Sequence, residues 1–227
     1  MTRRSTQTRR VVFGRSIFLA ATLISGSLAP AATTTEIWPE LDLWFHLTEP
    51  LRLLLTDSGV RDSESGDKTQ AAGGVYIDYR LSKNISFRAG YRYLQGLELS
   101  TGARGNVEHR QVYDFNYYWH LGKDAQIVDR TRIDVRDQNG KMTYRYRNRL
   151  LFNHELEVRG VRLIPYASAE LFYDTQYDRL NRLQFRLGAT LPTGPNLAWD
   201  FYLARQRDTY PTTKFANALG ITLNVKY

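Results

Sequence analysis

Apolar and polar residues alternate one by one along most of this chain. Between Glu36 and Leu47, one parity holds Ile37, Leu41, Leu43, Phe45 and Leu47, and the other holds Glu40, Asp42 and His46. Successive side chains of a strand point to opposite faces, so a period of two marks an extended segment with one apolar and one polar face. The same period recurs weakly in Leu51–Thr56, then in Val75–Leu81, Ile85–Tyr93, Val107–Leu121, Ile127–Arg136, Tyr144–Asn153, Leu163–Tyr173, Leu180–Leu191, Leu197–Leu203 and Phe215–Tyr227, which makes eleven strand candidates. No capped segment of helical period interrupts them.

The most charged part of the pattern runs from Ile127 to Asn153. Arg130, Arg132, Asp134 and Arg136 alternate with Thr131, Ile133 and Val135, and Arg145, Arg147 and Arg149 alternate with Tyr144, Tyr146, Asn148 and Leu150. Asn139-Gly140 between the two runs is a hairpin signal, so six Arg and one Asp share one face of one hairpin.

The connections alternate as well. Short ones (Thr48-Glu49-Pro50, Ser82-Lys83-Asn84, Gly122-Lys123-Asp124, Arg159-Gly160, Pro192 to Asn196) interleave with longer polar ones (Asp57–Thr69, Gln95–Gly105, Asp137–Met142, Asp174–Arg179, Gln206–Thr213). Short turns on one rim and long loops on the other are the pattern of a bacterial outer-membrane barrel. A soluble sandwich would show the same alternation with its faces reversed. Against it, the apolar face is rich in aromatics and nearly free of charge, and a closed barrel of ten or more strands is too wide to fill unless its interior is polar. Lipid also forbids open sheet edges. The reading is an all-β, transmembrane, antiparallel up-and-down β-barrel. Even counts are the rule for such barrels, so twelve strands are expected, with ten as the alternative.

Register then follows from energy. An Arg facing the bilayer midplane costs about 2–4 kcal/mol. A slip of one residue in the central hairpin would expose several at once and rival a domain's whole stability of about 5–15 kcal/mol. The charged faces must look inward.

Composition refines this picture at the N-terminus. Arg3, Arg4, Arg9, Arg10 and Arg15 precede an apolar run, Ile17 to Leu28, and then Ala29-Pro30-Ala31. This is the layout of a secretory signal peptide, residues 1–31, cut near Ala31 or Ala32, with one barrel domain over 32–227. The net charge of +8 loses five Arg with that segment, and the remaining +3 gives no argument for a nucleic-acid partner. The absence of cysteine rules out disulfides and thiolate metal sites.

By parity the interior receives Arg52, Arg80, Arg88, Arg92 and Arg110 from the first half. From the second half it receives Arg130, Arg132, Arg136, Arg145, Arg147, Arg149, Arg182 and Arg186. Facing them stand Glu40, Asp42, Asp78, Glu108, Asp114, Asp134, Glu170 and Asp200. Guanidinium forks suit carboxylate, sulfate or phosphate solutes, which points to a narrow porin-like channel for small anions or acidic sugars. The alternatives are a structural barrel whose lumen is sealed by Arg–carboxylate pairs and serves envelope assembly, and an outer-membrane lipid-modifying hydrolase. For a hydrolase the candidates are Ser168 and Glu170 with His46, His109, His120 or His154, though no His has an evident claim on the pair and His109 and His154 read as outward. The acids Asp57, Asp62, Glu64 and Asp67 lack the ordered spacing of a calcium loop. No cofactor or metal site is read. The expected surroundings are outer-membrane lipid and lipopolysaccharide, with barrel-assembly machinery engaging the C-terminal aromatic, Tyr227.

The strings Arg130-x-Arg132-x-Asp134-x-Arg136 and Tyr144-Arg-Tyr-Arg-x-Arg149, with Glu170-Leu-Phe172, Asn181-Arg182, the early Trp38 and Gly90-Tyr91, resemble a domain-of-unknown-function family of small Gram-negative outer-membrane proteins. Asp134 stands where that family more often has Glu, which keeps the charge pattern. The resemblance implies location and fold and brings no activity with it. In size and basic lumen the chain is more faintly similar to the narrow porins for acidic oligosaccharides. The mature chain is therefore expected to begin near Ala32 or Thr33, to fractionate with the outer membrane and to migrate heat-modifiably on gels. Recovery as a folded, soluble periplasmic protein is the contrary result.

Overall fold

A computed structural model describes residues 33–62, 68–98, 101, 103–210 and 212–227. The expected signal peptide lies outside the described residues. The strands are β1 (Thr33–Thr48), β2 (Leu51–Asp62), β3 (Lys68–Arg80), β4 (Ile85–Glu98), β5 (Arg104–Leu121), β6 (Ala125–Gln138), β7 (Lys141–His154), β8 (Leu156–Val158), β9 (Val161–Asp174), β10 (Arg179–Pro192), β11 (Leu197–Asp208) and β12 (Lys214–Lys226). Apart from the short β8, which pairs only with β9 while β7 pairs directly with β9, each pairs with its sequence neighbours; β1 pairs with β12, and the sheet closes on itself.

Twelve strands are present, as expected for the elements, but the wall has eleven staves. The three residues of β8 continue β7 along β9: Asn153 faces Tyr166 and Leu156 faces Leu163, which is one register on either side of Glu155. An up-and-down meander with an odd number of staves brings its first and last strands together pointing the same way. Accordingly β1 and β12 pair in parallel, from Thr33↔Phe215 to Trp44↔Lys226. Parity survives this closure. Glu40 and Asp42 lie beside Thr222 and Asn224 on the inner face, and Leu41 and Leu43 beside Leu223 and Val225 on the outer. The C-terminus seals the seam: Tyr227 N donates to Trp44 O at 2.7 Å, His46 N donates to Tyr227 O at 3.1 Å, and the Phe45 and Tyr227 rings stack at 5.0 Å.

Several expected loops are strand instead. The weak run Leu51–Thr56 extends to Asp62 and pairs with β3, Thr56↔Gly74 through Arg61↔Thr69. Small residues such as Ser58, Gly59, Ala71 and Gly73 erase the hydrophobic period there without preventing backbone pairing. Asp137–Met142, expected among the longer connections, closes as a two-residue turn with Asn139 at φ 54° and Gly140 at φ 84°. Arg159 and Gly160 repeat it at φ 54° and 79°. Positive φ at both central residues matches the twist of the flanking strands.

Apolar side chains cover the outside. Leu187 and Leu203 are each 64% exposed, and Val75, Ile77, Leu171 and Leu219 lie open in the same band. Aromatics flank it. Phe87–Phe115, Tyr117–Trp119 and Trp199–Phe201 pair toward the short-turn rim, while Tyr91 and Tyr93 flank His109 and Tyr146 meets Tyr173 toward the other. An apolar band between two aromatic girdles is the exterior of a lipid-facing barrel.

Two tyrosines lie flat inside the wall because glycine leaves room for them. A Cβ at Gly90 would sit 2.3 Å from a Tyr76 ring carbon, and one at Gly220 would sit 1.9 Å from Tyr202 Cζ. Gly220→Ala is therefore expected to destabilise the barrel by about 1–3 kcal/mol, the usual cost of overpacking. Adding Tyr202→Ala is expected to remove most of that increment. Urea midpoints in micelles measure both, and additive losses would contradict the contact.

Candidate functional site

The interior is organised by one cross-strand row of charge. Starting near the short-turn rim, direct neighbours in the register are Arg52, Asp78, Arg88, Asp114, Arg132, Arg147, Phe172, Arg182 and Asp208, one from each of β2 to β7 and β9 to β11. Each member is placed by the two-residue period of its own strand. Shear carries the row around and up the barrel to the long-loop rim.

Ion pairs follow the row. Asp78, 1% exposed, accepts from Arg52 on one side and from Arg88 Nη2 at 3.1 Å on the other. Arg132 holds Asp114 by two parallel bonds of 2.5 and 2.7 Å, and Arg182 holds Asp208 at 2.5 and 3.0 Å. Where the row lacks an acid, Phe172 takes its place: Arg147 lies 4.5 Å and Arg182 5.5 Å from its ring centroid. Trp44 likewise carries Arg52 and Arg88 at 4.9 and 5.1 Å. The ring faces supply negative potential that offsets part of the guanidinium charge.

Like charges also stand side by side, Arg110 beside Arg136 and Arg130 beside Arg149. Shared carboxylates relieve most of this. Glu108 accepts from Arg110 Nε at 2.7 Å, Arg136 Nε and Nη2 at 2.8 Å, and Gln138 Nε2 at 2.7 Å. Asp174 accepts from Arg136 Nη1 at 2.9 Å and Arg145 Nη2 at 2.7 Å. Glu170 Oε1 accepts from Arg130 at 2.6 Å and Arg147 at 2.8 Å. Asp134, fully buried, faces Arg147 at 3.6 Å, and neither of its oxygens accepts a hydrogen bond.

Some charges have no opposite partner among the described residues. Arg92 donates to the Ser58 hydroxyl, and Arg186 donates to Gln184 Oε1 at 3.0 Å and lies 4.7 Å over the Tyr202 ring. The Nε of Arg149 has no acceptor. Arg80 lies 5.8 Å from the Tyr118 ring centroid at the short-turn rim. On the far wall, Asp200 accepts only from Tyr166 at 2.9 Å and Thr190 at 3.1 Å, and Asp42 Oδ1 is buried without a donor.

Apart from Arg80, these unpaired groups line two cavities. One, about 460 Å³, lies toward the short-turn rim and is lined by Glu40, Asp42, Asp200, Arg92, Arg149 and Arg186 among others. The other, about 360 Å³, lies toward the long-loop rim with Glu108, Arg136, Arg145 and Arg182 in its walls. Glu40, Arg92, Arg147, Arg186 and Tyr202 line both, so they form the waist between them.

All fifteen interior positions singled out from the sequence face inward: Arg80, Arg88, Arg92, Arg110, Arg130, Arg132, Asp134, Arg136, Arg145, Arg147, Arg149, Glu170, Arg182, Arg186 and Asp200. Asp174 and Asp208 were missed because they fell in segments read as loops. Each continues the inner parity of its strand, after Glu170 and Phe172 and after Tyr202 and Gln206. Ser168 is buried in the inner wall without a histidine. His46 meets Tyr227 O, His109 meets the Tyr91 hydroxyl on the outer face, and His120 meets Lys83 O and Gln126. Of the acids considered for calcium, Asp57 points outward and Glu64 and Asp67 lie outside the described residues.

Residues 35–217 match the family model described as Protein of unknown function (DUF2490). No curated protein matches the chain. Among solved structures, LpxR from Salmonella typhimurium is similar with a TM-score of 0.51 at 9% identity, over 77% of this chain and 83% of that chain. At that identity the likeness is one of fold, an outer-membrane-type β-barrel.

If shared carboxylates hold the interior together, Glu170→Gln leaves Arg130 without an ionised partner and Arg147 with Asp134 alone, at 3.6 Å, and is expected to cost about 3–5 kcal/mol. Glu40→Gln breaks no ion pair and is expected to stay within about 0.5 kcal/mol. Urea midpoints in micelles compare the two, and equal effects would show that the pairs do not carry stability.

Proposed function

The chain belongs to the DUF2490 family, and we propose that this member is a narrow passive channel of the outer membrane that favours small anions and acidic sugars. The observation that carries the proposal is the set Arg92, Arg149 and Arg186. These line the cavity walls with no carboxylate in contact, while neighbouring arginines pair at 2.5–3.1 Å. A guanidinium left without a carboxylate keeps its donors for a passing anion, and its fork suits carboxylate and phosphate groups. The waist, with three guanidiniums against Glu40, supports an excess of positive field where the two cavities meet.

One observation favours a second reading, a structural barrel with a sealed lumen. Asp78, Asp134, Asp174 and Glu170 are at most 2% exposed, so the ion-paired wall is dry over much of its height. Single-channel recording separates the two. A channel is expected to conduct and to show reversal potentials favouring chloride over potassium. The preference is expected to be strongest in dilute salt, since the Debye length falls from about 30 Å at 0.01 M to about 3 Å at 1 M. Converting Arg149 and Arg186 to Glu breaks no ion pair, changes the interior charge by four units and is expected to weaken or invert the preference. Silence of the wild type favours the sealed barrel, and a conducting variant of unchanged selectivity contradicts the assignment of these residues.

A further inference from the structure

The larger cavity holds charge of both signs, kept apart by the wall. Glu40 and Asp200 flank Thr222 in one cross-strand row, and Asp42 lies one inner position along β1, so the three acids form one patch on the β11–β12–β1 side. Arg149 lies on β7, across the barrel, and Arg92 and Arg186 approach from β4 and β10. None of the six makes an ion pair among the described residues, Arg149 not even with its register neighbour Glu170, although Arg52–Asp78, Arg132–Asp114 and Arg182–Asp208 pair directly across neighbouring strands of the same interior. Two further atoms mark the cavity as unsatisfied. Arg130, 9% exposed and lining it, has an Nε without an acceptor, and Asp42 Oδ1 has no donor.

We propose that this chamber is a binding site for a small zwitterion, a solute carrying one carboxylate or phosphate and one ammonium group. Its anionic end would meet Arg149, Arg92 and Arg186, and its ammonium the Glu40–Asp42–Asp200 patch. A simple anion satisfies one wall and leaves the acids facing it, whereas a zwitterion offers a partner to both. The inference goes beyond the channel reading, which concerns the selectivity of ion passage, by assigning a binding site for a net-neutral solute within the path, and it rests on that reading only in that water must reach the chamber.

Isothermal titration of the full chain in micelles tests it with three probes of similar length: γ-aminobutyrate, butyrate and butylammonium. γ-Aminobutyrate is expected to bind at least about tenfold more tightly than either single-charge probe, the gain of one charge-assisted hydrogen bond. Glu40→Gln with Asp42→Asn is expected to reduce its affinity to that of butyrate, and Arg149→Gln to weaken both. Equal affinities for the first two probes in the wild type, or no heat with any probe, would overturn the site whether or not the variants fold. A barrel that binds γ-aminobutyrate yet passes no current would retain the site and lose the channel. One that conducts without zwitterion preference would lose the site and retain the channel.

Discussion

Everything in this barrel depends on keeping guanidinium groups out of lipid. A single Arg turned to the midplane costs about 2–4 kcal/mol, and β6 and β7 alone carry six on one face. That cost sets the register of the central hairpin, and the hairpin sets the register of its neighbours, because the row from Arg52 to Asp208 continues through strand after strand. Slipping any one stave would break the row on both sides and move its apolar face inward.

Bringing the arginines inside creates a second difficulty, since charges leaving water need partners. The chain meets it with carboxylates spaced along the row, with Glu108, Glu170 and Asp174 each serving two arginines, and with the Trp44 and Phe172 rings where no acid is present. This pairing leaves the waist and the larger cavity as the places where charges stand unmatched. The proposed solute chemistry concentrates there, at Arg92, Arg149, Arg186 and the acids opposite.

Much of this was legible from alternation alone. The eleven periodic runs are the eleven staves, and parity placed each chosen charged residue on its observed face. The preference for an even number of strands pulled the other way, because parallel closure of β1 on β12 leaves no mark in either strand's own pattern. The partners Asp174 and Asp208 were hidden at strand ends that read as polar loops. Which charges pair was also illegible. Glu170 and Asp200 look alike in sequence, but Arg130 and Arg147 reach the first, whereas only a tyrosine and a threonine reach the second.

The central claim is that the charged parity of the central hairpin faces an aqueous interior and the aromatic parity faces lipid. The chain has no cysteine, so single cysteines introduced from residue 144 to 151 can report it directly. In barrels reconstituted into bilayers, positions 145, 147, 149 and 151 are expected to react with a small water-soluble thiol reagent. Positions 144, 146, 148 and 150 are expected to react only with a lipid-soluble one. The opposite alternation, or none, would contradict the account.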